Sequence, residues 1–205
     1  MLSMQITKTI ESCTECNNCN QITNTCQCEV APEYIITNIR YYTGLLNKIF
    51  RFVEGIEMTI SELKAILDTA ECRYEIIQQD KPILSATDAE GIYPIEKAAP
   101  TFVLQTEYGL IGCIVSMQNG RLDFEKLKTQ LGFEKLKMAD RKKIEKETGC
   151  SVGVVPLVGL GLPLIFDKKL LCHNFVYGGT GNELLTLKIK PEDLMKVNEI
   201  KGVFE

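Results

Sequence analysis

The sequence predicts a mixed α+β domain around a mostly antiparallel sheet. Three observations carry that expectation. Short strand patterns bounded by turn residues outnumber regular βαβ units. The strongest of them, TFVLQTEYG (101–109) and LIGCIVSM (110–117), stand back to back with little more than Gly109 between them, as a hairpin requires. Finally, TGCSVGVVPLVGLGLPLIFD (148–167) threads Gly149, Gly153, Pro156, Gly159, Gly161 and Pro163 through apolar residues and feeds a strand. Glycine admits close approach or positive φ and proline fixes φ, so this loop can shape the wall of a pocket or serve as a tight strand entry.

Size and composition set the frame. A chain of 205 residues with 45% apolar and 24% charged residues accommodates one well-packed domain and a small accessory region. No window of 18 uninterrupted apolar residues occurs, and MLSMQITKTIESC lacks the basic-then-apolar order of a secretory signal. A cytoplasmic protein without membrane association is the resulting expectation. The net charge of −4 argues against a general nucleic-acid coat, yet residues 121–146 hold nine Lys or Arg against five acids. Such a segment is either a solvated helical face or a surface that steers an anionic partner such as RNA.

From the N-terminus, residues 1–32 read as a cysteine-rich appendage. Cys13, Cys16, Cys19, Cys26 and Cys28 lie in ESCTECNNCNQITNTCQC, a spacing that can bring thiolates round Zn²⁺ or an iron–sulfur cluster but matches neither usual arrangement. A reduced tail is the other reading. Cys72, Cys113, Cys150 and Cys172 have apolar neighbours and read as small core residues. Residues 33–57 repeat apolar side chains at spacings of three and four, from Ile36 to Phe52, which predicts an amphipathic helix that needs a partner, either the main domain or a second subunit.

The main domain is expected over 59–205. Thr59 and Glu62 form a capping-box pattern opening a helix to Asp68, with Leu63, Ile66 and Leu67 as its buried stripe. A strand at 72–78 and a short helix at 85–92, ended by Pro94, precede the hairpin. Beyond the turn at 118–120, a helix at 123–131 leads to a short strand, KLKMA (135–139). Asp140 then caps a helix running to Glu147, with Gly149 as its C-terminal glycine. The remaining elements are a strand at 164–166, a strand at 173–177, a glycine turn at 178–183, a strand at 184–190 and a helix from Pro191.

Familiar catalytic signatures are missing: no P-loop, dinucleotide fingerprint, H-E-x-x-H or G-x-S-x-G is present. His173 is the one histidine, which excludes a histidine-based metal site, and its place at a strand entry suits a hydrogen-bonded structural residue. The run Gly178-Gly179-Thr180-Gly181 fits a plain hairpin turn or a backbone N–H cradle for an anion or carbonyl equally well.

Taken together, TGCSVGVVPLVG, PLIFDKKL and GGTGNELLTLKIKPEDL resemble the YbaK/ProX-type aminoacyl-tRNA editing domain, also called the prolyl-tRNA-synthetase-associated domain. TISELKAILD, CRYEIIQ and the central hairpin agree with it, so the resemblance covers about residues 59–200. It implies a compact, barrel-like sheet with surrounding helices and a pocket for the 3′-terminal adenosine and a wrongly attached amino acid. The implied chemistry is hydrolysis of the ester on a mischarged tRNA, without a cofactor, by positioning and electrostatic preorganisation. Carried over by motif, Gly153 and Asp167 join the catalytic group, while Thr148, Gly149, Pro156, Gly159, Gly179 and Gly181 shape or bind in the pocket. The family's lysine directly precedes the central strand, a place held here by Pro100. Lys97 takes the role only if Ala98-Ala99-Pro100 folds back. Three readings follow: a trans-acting deacylase, alone, as a homodimer or beside a synthetase; a non-catalytic ligand-binding or regulatory relative; and a metal or redox protein centred on the five clustered cysteines.

Overall fold

The computed structural model describes residues 58–205, position 86 excepted, and three two-residue strands upstream. Those strands are β1 (Lys8–Thr9), β2 (Cys19–Asn20) and β3 (Thr25–Cys26). They form a small antiparallel sheet in the order β1-β3-β2, in which Cys19 stands opposite Cys26. They belong to a compact unit spanning Met1–Asn47, separate from the unit Lys48–Glu205. Cys13, Cys16 and Cys28 and the helix expected over 33–57 lie outside the described residues.

In the larger unit, helix α1 (Ile60–Thr69) begins where the sequence places it. The Thr59 hydroxyl accepts from the Glu62 N–H, and the Glu62 carboxylate accepts from the Thr59 N–H at 2.8 Å, so two otherwise orphaned donors are satisfied reciprocally. Leu63 and Leu67 are buried, whereas Ile66 is exposed, so the buried stripe is narrower than the apolar spacing suggests.

Two sheets follow. Strands β4 (Tyr74–Gln78), β9 (Val176–Gly179) and β10 (Leu185–Ile189) make an antiparallel sheet in the order β4-β10-β9. The other sheet has five strands: β5 (Thr101–Thr106), β6 (Gly109–Ile114), β7 (Leu136–Met138), β8 (Leu164–Asp167) and β11 (Ile200–Phe204), in the order β11-β8-β6-β5-β7. The β6–β8 and β8–β11 pairs are parallel, and the β5–β6 and β5–β7 pairs antiparallel.

The sheet is not closed into a barrel, and here the structure corrects the sequence expectation. β7 and β11 terminate the five-stranded sheet on opposite edges, and the two sheets meet at a single parallel bridge, Ala98 to Tyr177. Closure needs continuous pairing across both seams. The glycine- and proline-rich residues between Gly149 and Pro163 contribute no strand to supply it.

Period-two alternation sends the strands of the larger sheet into two cores. Val103, Leu110, Ile114, Leu164 and Phe166 join Leu63, Leu67, Leu187 and Leu194 in one cluster. Leu104, Ile111, Cys113, Ile165 and Phe204 join Leu127 in the other. Leu127 comes from helix α2 (Phe124–Leu131), which Asp123 caps at its N-terminus. Helix α3 (Arg141–Thr148) is capped by Asp140 and ended by Gly149 in the left-handed conformation, φ 72°. Helix α4 (Pro191–Val197) starts on its proline. Of the cysteines read as core, Cys113 and Cys150 are buried, Cys72 is half-buried and Cys172 is exposed. Burial, and secondarily the nearby Asp167 carboxylate, push the Cys113 thiol well above the ordinary thiol range.

Three local differences bear on function. The helix expected at 85–92 is only a 3₁₀ turn, Thr87–Ala89. Gly178 and Gly179 lie inside β9, so the turn starts at Thr180. The strand β11 has no counterpart among the sequence expectations, because Lys201 and Gly202 break its apolar alternation.

Candidate active site

A cleft of about 380 Å³ opens beside the start of β5. One wall is Pro100 to Val103, with Met117 nearby, and another is Tyr177 to Gly179 of β9. The segment Ile83 to Ser85 and the loop Val152 to Val155 complete it, with Met138 of β7 and Ile144 of α3 at one side and Gln79, Glu183 and Thr186 at the other.

Backbone proximity builds the β9 wall. The Ala99 N–H donates to the Tyr177 carbonyl at 2.7 Å, and the Leu157 N–H donates to the Gly179 carbonyl at 2.9 Å. A Cβ on Gly178 would lie 2.7 Å from the Ala99 carbonyl oxygen, and one on Gly179 would lie 2.6 Å from that of Val155. Only glycine permits such an approach, which is why the glycine pair is strand rather than turn. Gly153, across the cleft, has φ +106° and faces the Leu84 carbonyl, so its loop also depends on a missing side chain.

The Ile83–Ser85 wall is held electrostatically. Asp88 Oδ2 accepts from the Leu84 N–H at 3.1 Å, the Ser85 N–H at 2.8 Å and the Ser85 hydroxyl at 2.8 Å. The hydroxyl bond first, then the backbone bonds, hold this carboxyl below the usual range. Tyr93 and Tyr177 stack with ring centroids 4.8 Å apart and planes within 3°. Burial pushes the Tyr93 phenol up.

The lining is polar in places but nearly uncharged. The Thr186 hydroxyl donates to Gln79 Oε1 at 3.2 Å, and Gln79 Nε2 donates to the Glu183 carbonyl at 3.2 Å. Among the described residues, no Lys, Arg or His lines the cleft, and Glu183 is its one acidic residue.

Of the residues singled out from sequence, Gly153 and Gly179 stand on the cleft wall. Pro156 is buried directly behind, its Cα 3.8 Å from where a Gly179 Cβ would be. Gly149 and Thr148 end α3, and the Thr148 hydroxyl donates to the Ile144 carbonyl while accepting from the Cys150 N–H. A Cβ on Gly159 would collide with the Met58 side chain, and Gly181 turns the chain with φ +93°. Lys97 ends the 3₁₀ turn Ile95–Lys97 and is not on the cleft wall. Ala98 beyond it is extended and Ala99 bonds β9, so this connection runs forward into β5 instead of folding back. Asp167 is wholly buried away from the cleft wall. Its carboxylate accepts from the Ser116 N–H at 2.8 Å, the Lys169 N–H at 2.9 Å and the Asn119 amide. The half-buried His173 ring lies 3.4 Å from the Gln118 amide. No group of three or more His, Cys, Asp or Glu among the described residues is placed to hold a metal ion.

The sequence reading missed Thr101, the tyrosine stack and the Gln79–Thr186 pair. Thr101 alone left a trace, as a polar residue two positions before Val103 and so on the same strand face.

The aminoacyl-tRNA editing domain family matches residues 84–197, which include most of the cleft and the whole glycine-bearing part of its wall. The chain belongs to this family. The YbaK/ProX-type resemblance seen in its motifs is therefore sound. The proline–tRNA ligase of Thermosipho africanus (strain TCF52B) is 32% identical over 108 residues, which make up 52% of this chain and 19% of the ligase. The chain thus spans about a fifth of the length of that curated relative. Two crystal structures share the fold. One, of a hypothetical protein, superposes with a TM-score of 0.62 at 20% identity, covering 69% of this chain and 96% of the other. The second is described as a candidate trans-editing enzyme for prolyl tRNA synthetase, with a TM-score of 0.58, 21% identity, and 71% and 96% of the two chains covered. No helix among the described residues is long and apolar enough to cross a membrane.

Proposed function

We propose that the cleft receives the aminoacylated 3′ end of a mischarged tRNA and hydrolyses its ester in trans. The observation that carries this reading is the glycine-bearing wall, with Gly178 and Gly179 closely packed against backbone and Gly153 at positive φ, which lines a cleft inside the family match. Water adds to the ester carbonyl carbon, the bond to the ribose oxygen breaks, and a proton from the water ends on that oxygen. The products are a free amino acid and an intact tRNA 3′ end. Backbone dipoles near Gly153 polarise the carbonyl, and the apolar walls limit competing solvent. The basic segment supports an RNA partner. Met138 and Ile144 reach the cleft from the same short stretch whose Lys137, Arg141 and Lys142 are exposed, so phosphates docked there lie beside the opening.

One observation favours a second reading, a ligand-binding relative without hydrolysis: Pro100 stands on the wall at the place the family gives to a lysine. A panel of mischarged tRNAs separates the two. The deacylase reading expects ester loss from at least one member above the rate without protein. Binding without ester loss favours the binding module, and neither binding nor ester loss across the panel overturns both. Lys97→Ala belongs in the same assay. Lost hydrolysis with retained binding assigns the ammonium to the chemistry, and unchanged hydrolysis leaves the work to backbone groups and water.

A further inference from the structure

Single exposed apolar residues are ordinary on a protein surface, but several of them lining one cleft are not. Leu84 is 53% exposed, Val152 41% and Met138 48%, and all three line the cleft. Two of them meet at Gly153. Val152 precedes it in the chain, and the Leu84 side chain comes within 3.8 Å of where a Gly153 Cβ would be. Val103 and Ile144, both buried in the same core cluster, also line the cleft.

Hydrogen-bonding capacity is distributed the other way. The Leu84 and Ser85 N–H groups and the Ser85 hydroxyl are taken up by Asp88. The Thr101 hydroxyl is closed off and has no partner, so it offers a ligand nothing. The polar lining residues Gln79, Glu183 and Thr186 stand at the other side. An aminoacyl-adenosine divides along the same line: its base edges and ribose need hydrogen-bond partners, and an aliphatic side chain needs none. An acyl carbonyl placed at Gly153 fixes the order. The amino-acid side chain starts next to that carbonyl and there meets Leu84 and Val152.

We infer that the cleft selects esters of amino acids with an aliphatic side chain, valyl to leucyl in size, and that Leu84 and Val152 are the residues that read it. The inference rests on the cleft being an aminoacyl-ester site and names the class of acyl group it takes. Each methylene that covers these half-exposed residues leaves water and favours binding. An alanyl methyl covers little of either residue. A threonyl hydroxyl gives up its water at the side of the cleft where the wall's donors are already taken. A charged acyl side chain meets no opposite charge there.

The test uses the full chain and 3′-aminoacylamino-3′-deoxyadenosines, which have no ester to hydrolyse, carrying alanyl, valyl, threonyl or leucyl groups and titrated by calorimetry. Leucyl is expected to bind about tenfold tighter than alanyl, and valyl about fivefold or more tighter than its isostere threonyl. The double variant Leu84→Asn, Val152→Thr keeps the size of both side chains at exposed positions, so its urea midpoint is expected to stay close to that of the wild type. It is expected to remove most of the leucyl preference while holding alanyl affinity within about twofold. A leucyl advantage below about threefold, or threonyl bound as tightly as valyl, overturns the selection, and the wild-type series decides this without the variant. Equal weakening of all four probes by the double variant puts the adenosine on Leu84 and Val152 and overturns their role, as does an unchanged leucyl preference. Each of these results leaves the cleft reading in place. Failure of the wild-type protein to bind any of the four probes overturns the cleft reading and the inference with it.

Discussion

Replacing Asp167 by asparagine separates a structural carboxylate from one that handles ligand. Both oxygens of Asp167 are in use: Oδ2 accepts from the Ser116 N–H and the Asn119 amide, and Oδ1 accepts from the Lys169 N–H. Asparagine keeps one oxygen and turns the other acceptor into an NH₂ group. Whichever way it is placed, at least one backbone N–H then faces a donor. One charge-assisted bond, about 1.5–3 kcal/mol, is lost, and the stranded donor adds a desolvation cost of about 1–3 kcal/mol. A total near 3 kcal/mol corresponds to a drop in Tm of about 6–12 °C for a unit of this size. Urea denaturation followed by circular dichroism measures the first quantity and a thermal scan the second. Because Asp167 is off the cleft wall, the folded fraction of Asp167→Asn is expected to bind non-hydrolysable probes, 3′-aminoacylamino-3′-deoxyadenosines, with wild-type affinity. A variant that keeps the wild-type midpoint yet loses binding or hydrolysis would refute this reasoning and return Asp167 to the reacting groups.

Gly179→Ala is expected to lower stability by about 1–3 kcal/mol, since its Cβ must push a backbone carbonyl aside, and to weaken probe binding by moving the Val155 wall; an unchanged midpoint in urea removes the close-packing argument. Acid is expected to loosen the Ile83–Ser85 wall. The Asp88 carboxyl is held below its ordinary value by the Ser85 hydroxyl and the Leu84 and Ser85 N–H groups, so its contribution is complete above the ordinary carboxylate pKa and disappears as pH falls through the lowered one. Hydrogen exchange at Leu84 and Ser85 measured from pH 5 down to pH 2 should show protection relative to the intrinsic rate falling in that window, and Asp88→Ala should show the lowered protection already at pH 5; a pH-independent profile in the native protein counts against the clamp.

Local chemistry made much of the architecture readable in advance. Thr59 with Glu62, Asp123, Asp140 with Gly149, and Pro191 each mark a helix end through a bond or a φ that neighbouring residues settle among themselves. The hairpin of β5 and β6 was equally legible, because its two runs are adjacent and its turn is short. What could not be read depends on distant partners. Gly178 and Gly179 look like turn residues until Ala99 and Val155 are brought against them. Barrel closure is a property of which edges meet, and no run of residues encodes that alone. At the site, two of the motif glycines, Gly153 and Gly179, stand on the cleft wall, while the unpartnered state of Thr101 exists only once β5 is packed.

The two parallel pairings of β8 impose an order on the birth of the fold. β8 adds to the open edge of β6, made long before it, and β11, made after α4, then adds outside β8, so the larger sheet grows outward in the order of synthesis. Until β11 arrives, a strand whose four residues are all buried in the finished protein presents an open edge. Open apolar edges recruit other chains. The interval between the making of β8 and of β11 is therefore a period in which a nascent chain is exposed to mispairing, and substitutions that slow the docking of Phe204 should lower the yield of folded protein more than they lower its final stability.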